Sequence, residues 1–268
     1  MAEKELQKEE EVLKEGHVFV YSRDGNPQEQ LPLPPVFVTP FRPDIIRKDF
    51  AAASSRRRQP YGPAFRAGMR HSVETWGKGR GVARVQRIKG QSTAAESPNN
   101  VGGRRAHPPR PWKNWRLRIN EKERRLARMS ALAATSKPEI VKSRGHRFPE
   151  GVSLPIVVDD EVENMKKSAD FEQLLGSIGI AEDVVRVREG RHVRAGRGKM
   201  RNRRYRQPVG PLVVVSAADA ALAKSAKNLA GVDVVTASSL NTECLAPGGN
   251  AGRLVIFSKR AFESLRGV

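Results

Sequence analysis

Leu212-Val213-Val214-Val215 is the stretch on which the fold turns: four consecutive aliphatic residues between Pro211 and Ser216. A short unbroken apolar run bounded by turn residues reads as a strand covered on both faces, which is the habit of parallel sheets. Working outward, an Ala-rich segment at 219–229 reads as a helix, and the runs at 232–235 and 254–257 read as further strands. Phe262 and Leu265 place a last helix on the sheet. Upstream, residues 154–158 form another apolar run. Ser168 then precedes a helix that carries Phe171, Leu174, Leu175 and Ile178 on one face and closes near Gly179. Residues 184–187 read as one more brief strand. Alternation of this kind predicts an α/β fold: a mostly parallel sheet flanked by helices, a Rossmann-like three-layer sandwich with right-handed crossovers.

The first part of the chain adds to the same domain. HVFVY at 17–21 reads as a strand ending in the turn Asp24-Gly25-Asn26-Pro27. Residues 31–38 read as an edge strand, because Pro32, Pro34 and Pro35 deny it a central place. Arg42-Pro43-Asp44 opens a helix over 45–54, and Asn120 with Glu123 has the form of a capping box for a helix with the stripe Leu126, Met129 and Leu132. The globular domain is therefore expected from 17–55 and 119–268. Residues 1–16 alternate Glu and Lys and read as a charged, solvated helical extension, neither a signal peptide nor a transit peptide.

Between these halves lies a segment of another character, residues 56–118. Its cations are Arg56, Arg57, Arg58, Arg66, Arg70, Lys78, Arg80, Arg84, Arg87, Lys89, Arg104, Arg105, Arg110, Lys113, Arg116 and Arg118, against Glu74 and Glu96 alone, for a net charge of +14. Gly and Pro fill the space between charges, so the segment is expected to be a long irregular loop that does not fold by itself. A second basic loop, 186–206, includes Arg194, Arg197, Lys199, Arg201, Arg203 and Arg204 and carries +9. The whole chain of 268 residues carries +20, so the remainder is close to neutral at −3. Scaffold and binding surface are thus divided, and the partner implied is a polyanion. A membrane surface fits poorly, since nothing approaches the roughly eighteen apolar residues of a span.

Catalytic signatures fail one by one. Gly77, Gly79 and Gly81 have Val82 where a dinucleotide fingerprint needs its third glycine, and Gly198-Lys199 is followed by Met200 where a phosphate loop needs Ser or Thr. Asp159 and Asp160 follow a strand but read as a helix-start cap. His17, His71, His107, His146 and His192 lack metal-ligand spacing. The single Cys244 excludes a disulfide framework, fits a reducing compartment and reads as a small buried residue. All three tryptophans, Trp76, Trp112 and Trp115, fall in the basic insertion. Indoles among arginines suit base stacking beside phosphate contacts; for Trp112 and Trp115, anchoring of the returning loop is an equal alternative. Arginine outnumbers lysine there thirteen to three, which favours bidentate phosphate contacts.

Several motifs together resemble the large-subunit ribosomal protein four family in its archaeal and eukaryotic form, over nearly the whole chain. They are Trp76-Gly77-Lys78-Gly79-Arg80-Gly81-Val82-Ala83-Arg84, Gly102-Gly103-Arg104-Arg105-Ala106-His107-Pro108-Pro109, residues 120–135, Arg194-Ala195-Gly196-Arg197-Gly198-Lys199-Met200-Arg201-Asn202-Arg203-Arg204-Tyr205, and Leu245-Ala246-Pro247-Gly248-Gly249. The resemblance implies a structural constituent of the large ribosomal subunit, cytoplasmic, with a long loop threading rRNA to help line the peptide exit tunnel and a part in subunit assembly. Trp76, Lys78, Gly79, Arg80, Gly81 and Arg84 would be the tunnel-proximal residues. Val82 and Arg80 depart from the bacterial form, which has Arg and a small polar residue there. The chain ends soon after its last helix, without the tail of eukaryotic members, which favours the archaeal type.

The reading is therefore a non-enzymatic rRNA-binding protein. The rRNA contacts are expected at Arg56, Arg57, Arg58, Arg66, Arg70, Trp76, Lys78, Arg80, Arg84, Arg87, Lys89, Arg104, Arg105, His107, Arg110, Trp112, Lys113, Trp115 and Arg116, and at Arg194, Arg197, Lys199, Arg201, Arg203 and Arg204. Partners would be large-subunit rRNA and neighbouring ribosomal proteins. No membrane, small-molecule substrate, metal or cofactor is expected beyond Mg²⁺ held by the rRNA itself, and no homo-oligomer. The rivals are an RNA-processing or nucleotide-dependent enzyme on the α/β core, which would need a carboxylate or His cluster at the carboxyl edge of the sheet, and a free regulatory RNA binder.

Overall fold

The computed structural model describes residues 16–267, so the charged extension read at 1–16 lies outside the described residues apart from Gly16. In chain order the elements are β1 His17–Tyr21, β2 Pro27–Pro32, α1 Pro43–Ser55, β3 Val73–Thr75, β4 Gln86–Ile88, α2 Glu121–Thr135, α3 Pro138–Ser143 and β5 Ile156–Val158. There follow α4 Ser168–Ile178, α5 Ala181–Glu189, β6 His192–Val193, β7 Tyr205–Arg206, β8 Leu212–Val215, α6 Leu222–Ala226, β9 Asp233–Thr236, α7 Thr242–Leu245, β10 Val255–Ser258 and α8 Lys259–Ser264. Two compact units result: residues 16–54 with 118–267, and Ser55–Leu117.

In the first unit six strands form one sheet in the order β2-β1-β5-β10-β8-β9. All neighbours are parallel except the edge pair β1–β2. Strand period two sends alternate residues to opposite faces. Ile156, Val158, Val213, Val215 and Ile256 enter one buried cluster with Phe171, Leu174 and Leu175 of α4, Val184 of α5 and Leu222 of α6. Val157, Leu212, Val214, Val255 and Phe257 enter the other, with Ile46 of α1, Leu132 of α2, Leu245 of α7 and Phe262 of α8. Helices therefore cover both faces, which is why 212–215 has no polar position. Phe37, Phe257 and Phe262 pack as three rings with centroids 5.8 to 6.4 Å apart.

Several expectations need correction. Residues 184–187 are helical, not a strand: Glu182 and Asp183 sit in the first turn of α5, and Val184 and Val187 are buried on one helical face. The edge strand lies at Pro27–Pro32, earlier than the run 31–38, because Pro35 begins a 3₁₀ turn over Pro35–Val38. The Ala-rich helix is shorter than 219–229, only Leu222–Ala226. Asn120 caps α2 without a side-chain bond, and Glu123 instead pairs with Lys48 of α1 at 2.8 Å. Buried Ser130 also ties α2 to the start of α1, donating to the Pro40 carbonyl and accepting from the Arg42 amide at 2.7 Å.

Candidate nucleic-acid interface

The unit Ser55–Leu117 is more ordered than an irregular loop. Its distal part is a hairpin in which Val73, Glu74 and Thr75 pair with Ile88, Arg87 and Gln86, and the Ala95 amide donates to the Gln86 carbonyl on the outer side of β4. Composition hid this, because each strand is only three residues long and β3 reads Val-Glu-Thr. Between the strands, residues 76–85 form the tip. Gly77, Gly79 and Gly81 have φ of +74°, +85° and +68°, a region that side chains with a Cβ rarely occupy. Backbone shape alone thus accounts for the glycine alternation that mimicked a nucleotide fingerprint.

Two guanidinium groups lie over the Trp76 ring, Arg87 at 5.0 Å and Arg80 at 5.3 Å from its centroid. Arg87 also donates to the carbonyls of Ser92 and Ala83, so the indole is tied to the hairpin through cation–π contact. At the base of the unit Tyr61 stacks on Trp115, centroids 5.7 Å apart and planes 15° from parallel, with Lys113 at 4.5 Å and Arg58 at 5.8 Å. Trp115 therefore serves its own unit as an anchor. Trp112 has the Arg110 guanidinium over its ring at 5.3 Å but is 71% exposed, and Phe65 is 88% exposed.

Arg56, Arg57, Arg58, Arg66, Arg70, Lys78, Arg80, Arg84, Lys89, Arg104, Arg105, His107, Arg110, Lys113 and Arg116 are all exposed, and Arg87, Trp76 and Trp115 are half-buried. Among the described residues no ion pair joins any cation from 58 to 116 to a carboxylate. Ten of the twelve exposed large hydrophobic side chains of the described residues lie in this unit or in 193–205, so apolar surface is placed beside the uncompensated charge.

The second basic segment begins inside α5, where Arg188 pairs with Glu172 at 2.9 Å. Arg186, Asp183 and His146 form a buried group: Asp183 accepts from Arg186 Nε at 2.9 Å and from the Arg147 amide at 3.0 Å, with His146 Nδ1 at 2.9 Å. Burial pushes the Asp183 carboxyl up, but the interaction with His146 and the hydrogen bonds from Arg186 and the Arg147 amide outweigh it and hold the carboxyl below its ordinary range. Only then does the chain project, as the short pair β6–β7 with Arg194 bonded to the Arg204 and Arg203 carbonyls. Arg191 lies 4.3 Å from the Tyr205 ring centroid. Arg197, Lys199, Arg201, Arg203 and Arg204 are exposed, and Arg194 is half-buried.

The carboxyl edge of the parallel sheet is where α/β enzymes hold ligands. Here three of its carboxylates are occupied internally. Asp159 caps a 3₁₀ turn over Asp160–Asn164 by accepting from the Asp160 amide, Asp160 pairs with Arg260 at 3.2 Å, and Glu163 accepts from the Ser216 amide and hydroxyl at 2.6 and 2.7 Å. Glu163, which ties the turn after β5 to the residue after β8, has no signal in the sequence, and neither has Arg253. The latter is 1% exposed and donates to the Gly210, Pro211 and Cys244 carbonyls and to Asp233 at 2.6 Å. Nothing in the run Asn250-Ala251-Gly252-Arg253 marks it as buried. Cys244 is half-buried, packed against the second apolar cluster. No helix among the described residues is long and apolar enough to cross a membrane, and no group of three or more His, Cys, Asp or Glu among them is arranged to hold a metal ion.

Comparison with known proteins gives a consistent result. Residues 31–268 match the model of the family described as "Ribosomal protein L4/L1 family". Three archaeal relatives, each named "Large ribosomal subunit protein uL4", align along nearly their full lengths. That of Methanosphaera stadtmanae is 45% identical over 248 residues, 92% of this chain and 95% of the relative. That of Thermoplasma acidophilum is 48% identical, covering 94% of this chain and 98% of its own. That of Methanothrix thermoacetophila is 48% identical, covering 90% and 95%.

Proposed function

The chain belongs to the ribosomal protein L4/L1 family, which is structural and not enzymatic, and from that premise we propose that it is a cytoplasmic constituent of the large ribosomal subunit that binds large-subunit rRNA. The scaffold is a Rossmann-like three-layer sandwich, and the insertion is its rRNA-penetrating arm. The hairpin tip, Trp76 to Arg84, is the part nearest the peptide exit tunnel, with Lys78, Arg80 and Arg84 directed to phosphates. Residues 190–206 make a second contact, and neighbouring ribosomal proteins complete the surroundings. The protein acts in subunit assembly as a single copy, without a small-molecule substrate or cofactor of its own.

One observation carries this reading. The cations from 58 to 116, all exposed but the half-buried Arg87, stand without carboxylate partners among the described residues, interleaved with exposed Phe65 and Trp112. A phosphate backbone supplies the missing countercharge and unpaired bases supply the stacking partners. Sedimentation of a cell lysate through sucrose at low and high salt, with the chain followed by mass spectrometry, tests it. Comigration with large subunits that persists at high salt is expected. Recovery mainly at the top of the gradient overturns the reading.

A further inference from the structure

At the root of the second basic segment the globular unit has a cleft of about 560 Å³, bounded by the start of α1, the end of α3 and the loops at 208–209 and 249–251. Three guanidinium groups line it, Arg47, Arg144 and Arg186, and no carboxylate does. Their states differ. Arg186 is compensated, bonded to Asp183 through Nε and to the Val209 carbonyl at 2.8 Å. Arg144 is half-buried yet bonded only to neutral acceptors, the Pro247 carbonyl at 3.0 Å and the Ala251 carbonyl at 3.5 Å. Arg47 is exposed and has no hydrogen-bond or ion-pair partner among the described residues.

A half-buried cation without an anion is costly to hold, and a protein keeps one where a ligand completes it. Burial first, and then the like charges of Arg253 and Arg186, lower the Arg144 guanidinium to about 10, so it remains charged at neutral pH and gains from an added anion. The cleft is also part apolar, with Phe41 and Pro208 in its wall and Asn250 beside the arginines. Guanidinium forks suit phosphate oxygens, and an apolar wall with an amide suits the attached nucleoside.

We propose that this cleft is a separate binding site for one phosphodiester of single-stranded RNA, held by Arg47 and Arg144 with the adjoining nucleoside against Phe41 and Pro208. The proposal rests on the rRNA-binding reading above and adds to it a contact made by the globular unit itself.

The test uses the full chain with its arginine Nε–H groups observed by NMR. The probes are the dinucleotide UpU, uridine, inorganic phosphate and a short Asp/Glu peptide. UpU is expected to shift the Arg144 and Arg47 signals and to bind more tightly than inorganic phosphate, while uridine leaves them in place. Arg47→Ala, an exposed change that spares the fold, is expected to weaken UpU about tenfold, and Arg144→Lys to weaken it while keeping the charge. Unmoved signals with UpU, equal affinity for inorganic phosphate, shifts by the acidic peptide alone, or undiminished binding by Arg47→Ala would each overturn the site. A salt-sensitive affinity for longer rRNA fragments, measured on the same sample, separates the two readings. If it persists with a silent cleft, only this site falls; if it is absent, the rRNA-binding reading falls as well.

Discussion

Arg253 shows what a single residue does in the scaffold. Its guanidinium satisfies the Gly210 and Pro211 carbonyls before β8, the Cys244 carbonyl in α7 and Asp233 at the start of β9, so removal leaves buried acceptors without donors. Arg253→Met should lower stability by about 3 to 5 kcal/mol, read by urea denaturation in a buffer that keeps the basic chain soluble. Asp183 acts similarly, with a pH signature. Its folded carboxyl titrates below the ordinary value of 3.8, so its stabilisation is fully present above that value and is lost as pH falls through the folded one. Asp183→Asn should therefore cost most near neutrality, and the gap to the wild type should narrow below about pH 4. Neither residue was legible in the sequence: a buried Arg and a surface Arg have the same letter, and only the long-range partners at Gly210 and Asp233, or at His146, distinguish them.

Among the elements, those legible in advance were the ones with their own period and punctuation. β8 and β10 are unbroken apolar runs, and α4 has its stripe and a left-handed Gly179 at φ +93°. The failures were elements whose type is decided by distant partners. The Val184–Val187 stretch suits a strand by composition but becomes helix because Asp183 must meet His146 and Arg186. The hairpin β3–β4 is too short to have a period at all. It is, however, a self-contained element, and deleting residues 76–89 should leave the far-UV circular dichroism and melting temperature of the scaffold nearly unchanged while impairing incorporation into subunits. A melting temperature lowered by many degrees would show that the scaffold depends on the hairpin.

For the whole molecule the decisive quantity is where the charge sits. The insertion carries +14 and residues 186–206 carry +9, against +20 overall, a division plain from the sequence because it needs only counting. The geometry of the site was less legible, since Trp76, Trp112 and Trp115 look alike in the chain and stand in three different environments. If roughly six to ten phosphates are neutralised, affinity for rRNA fragments should fall by about 10³ to 10⁵ between 50 and 200 mM salt. Filter binding across that range checks it; a flat profile would mean that the charge is not the binding agent.

The Tyr61–Trp115 stack has one more consequence, for how such an arm can change length. Together with Gly62, whose Cα is too close to Pro109 and Pro111 to accept a side chain, it fastens the two legs of the insertion near the base. Chain closure is then settled at the neck, and the part beyond it behaves as a separate, already closed loop. Doubling that part adds only about 0.6 kcal/mol of closure entropy. Reach is thereby uncoupled from folding: the tip can be lengthened or trimmed to fit its surroundings while the neck, and the helices α1 and α2 that precede and follow it in the chain, stay as they are.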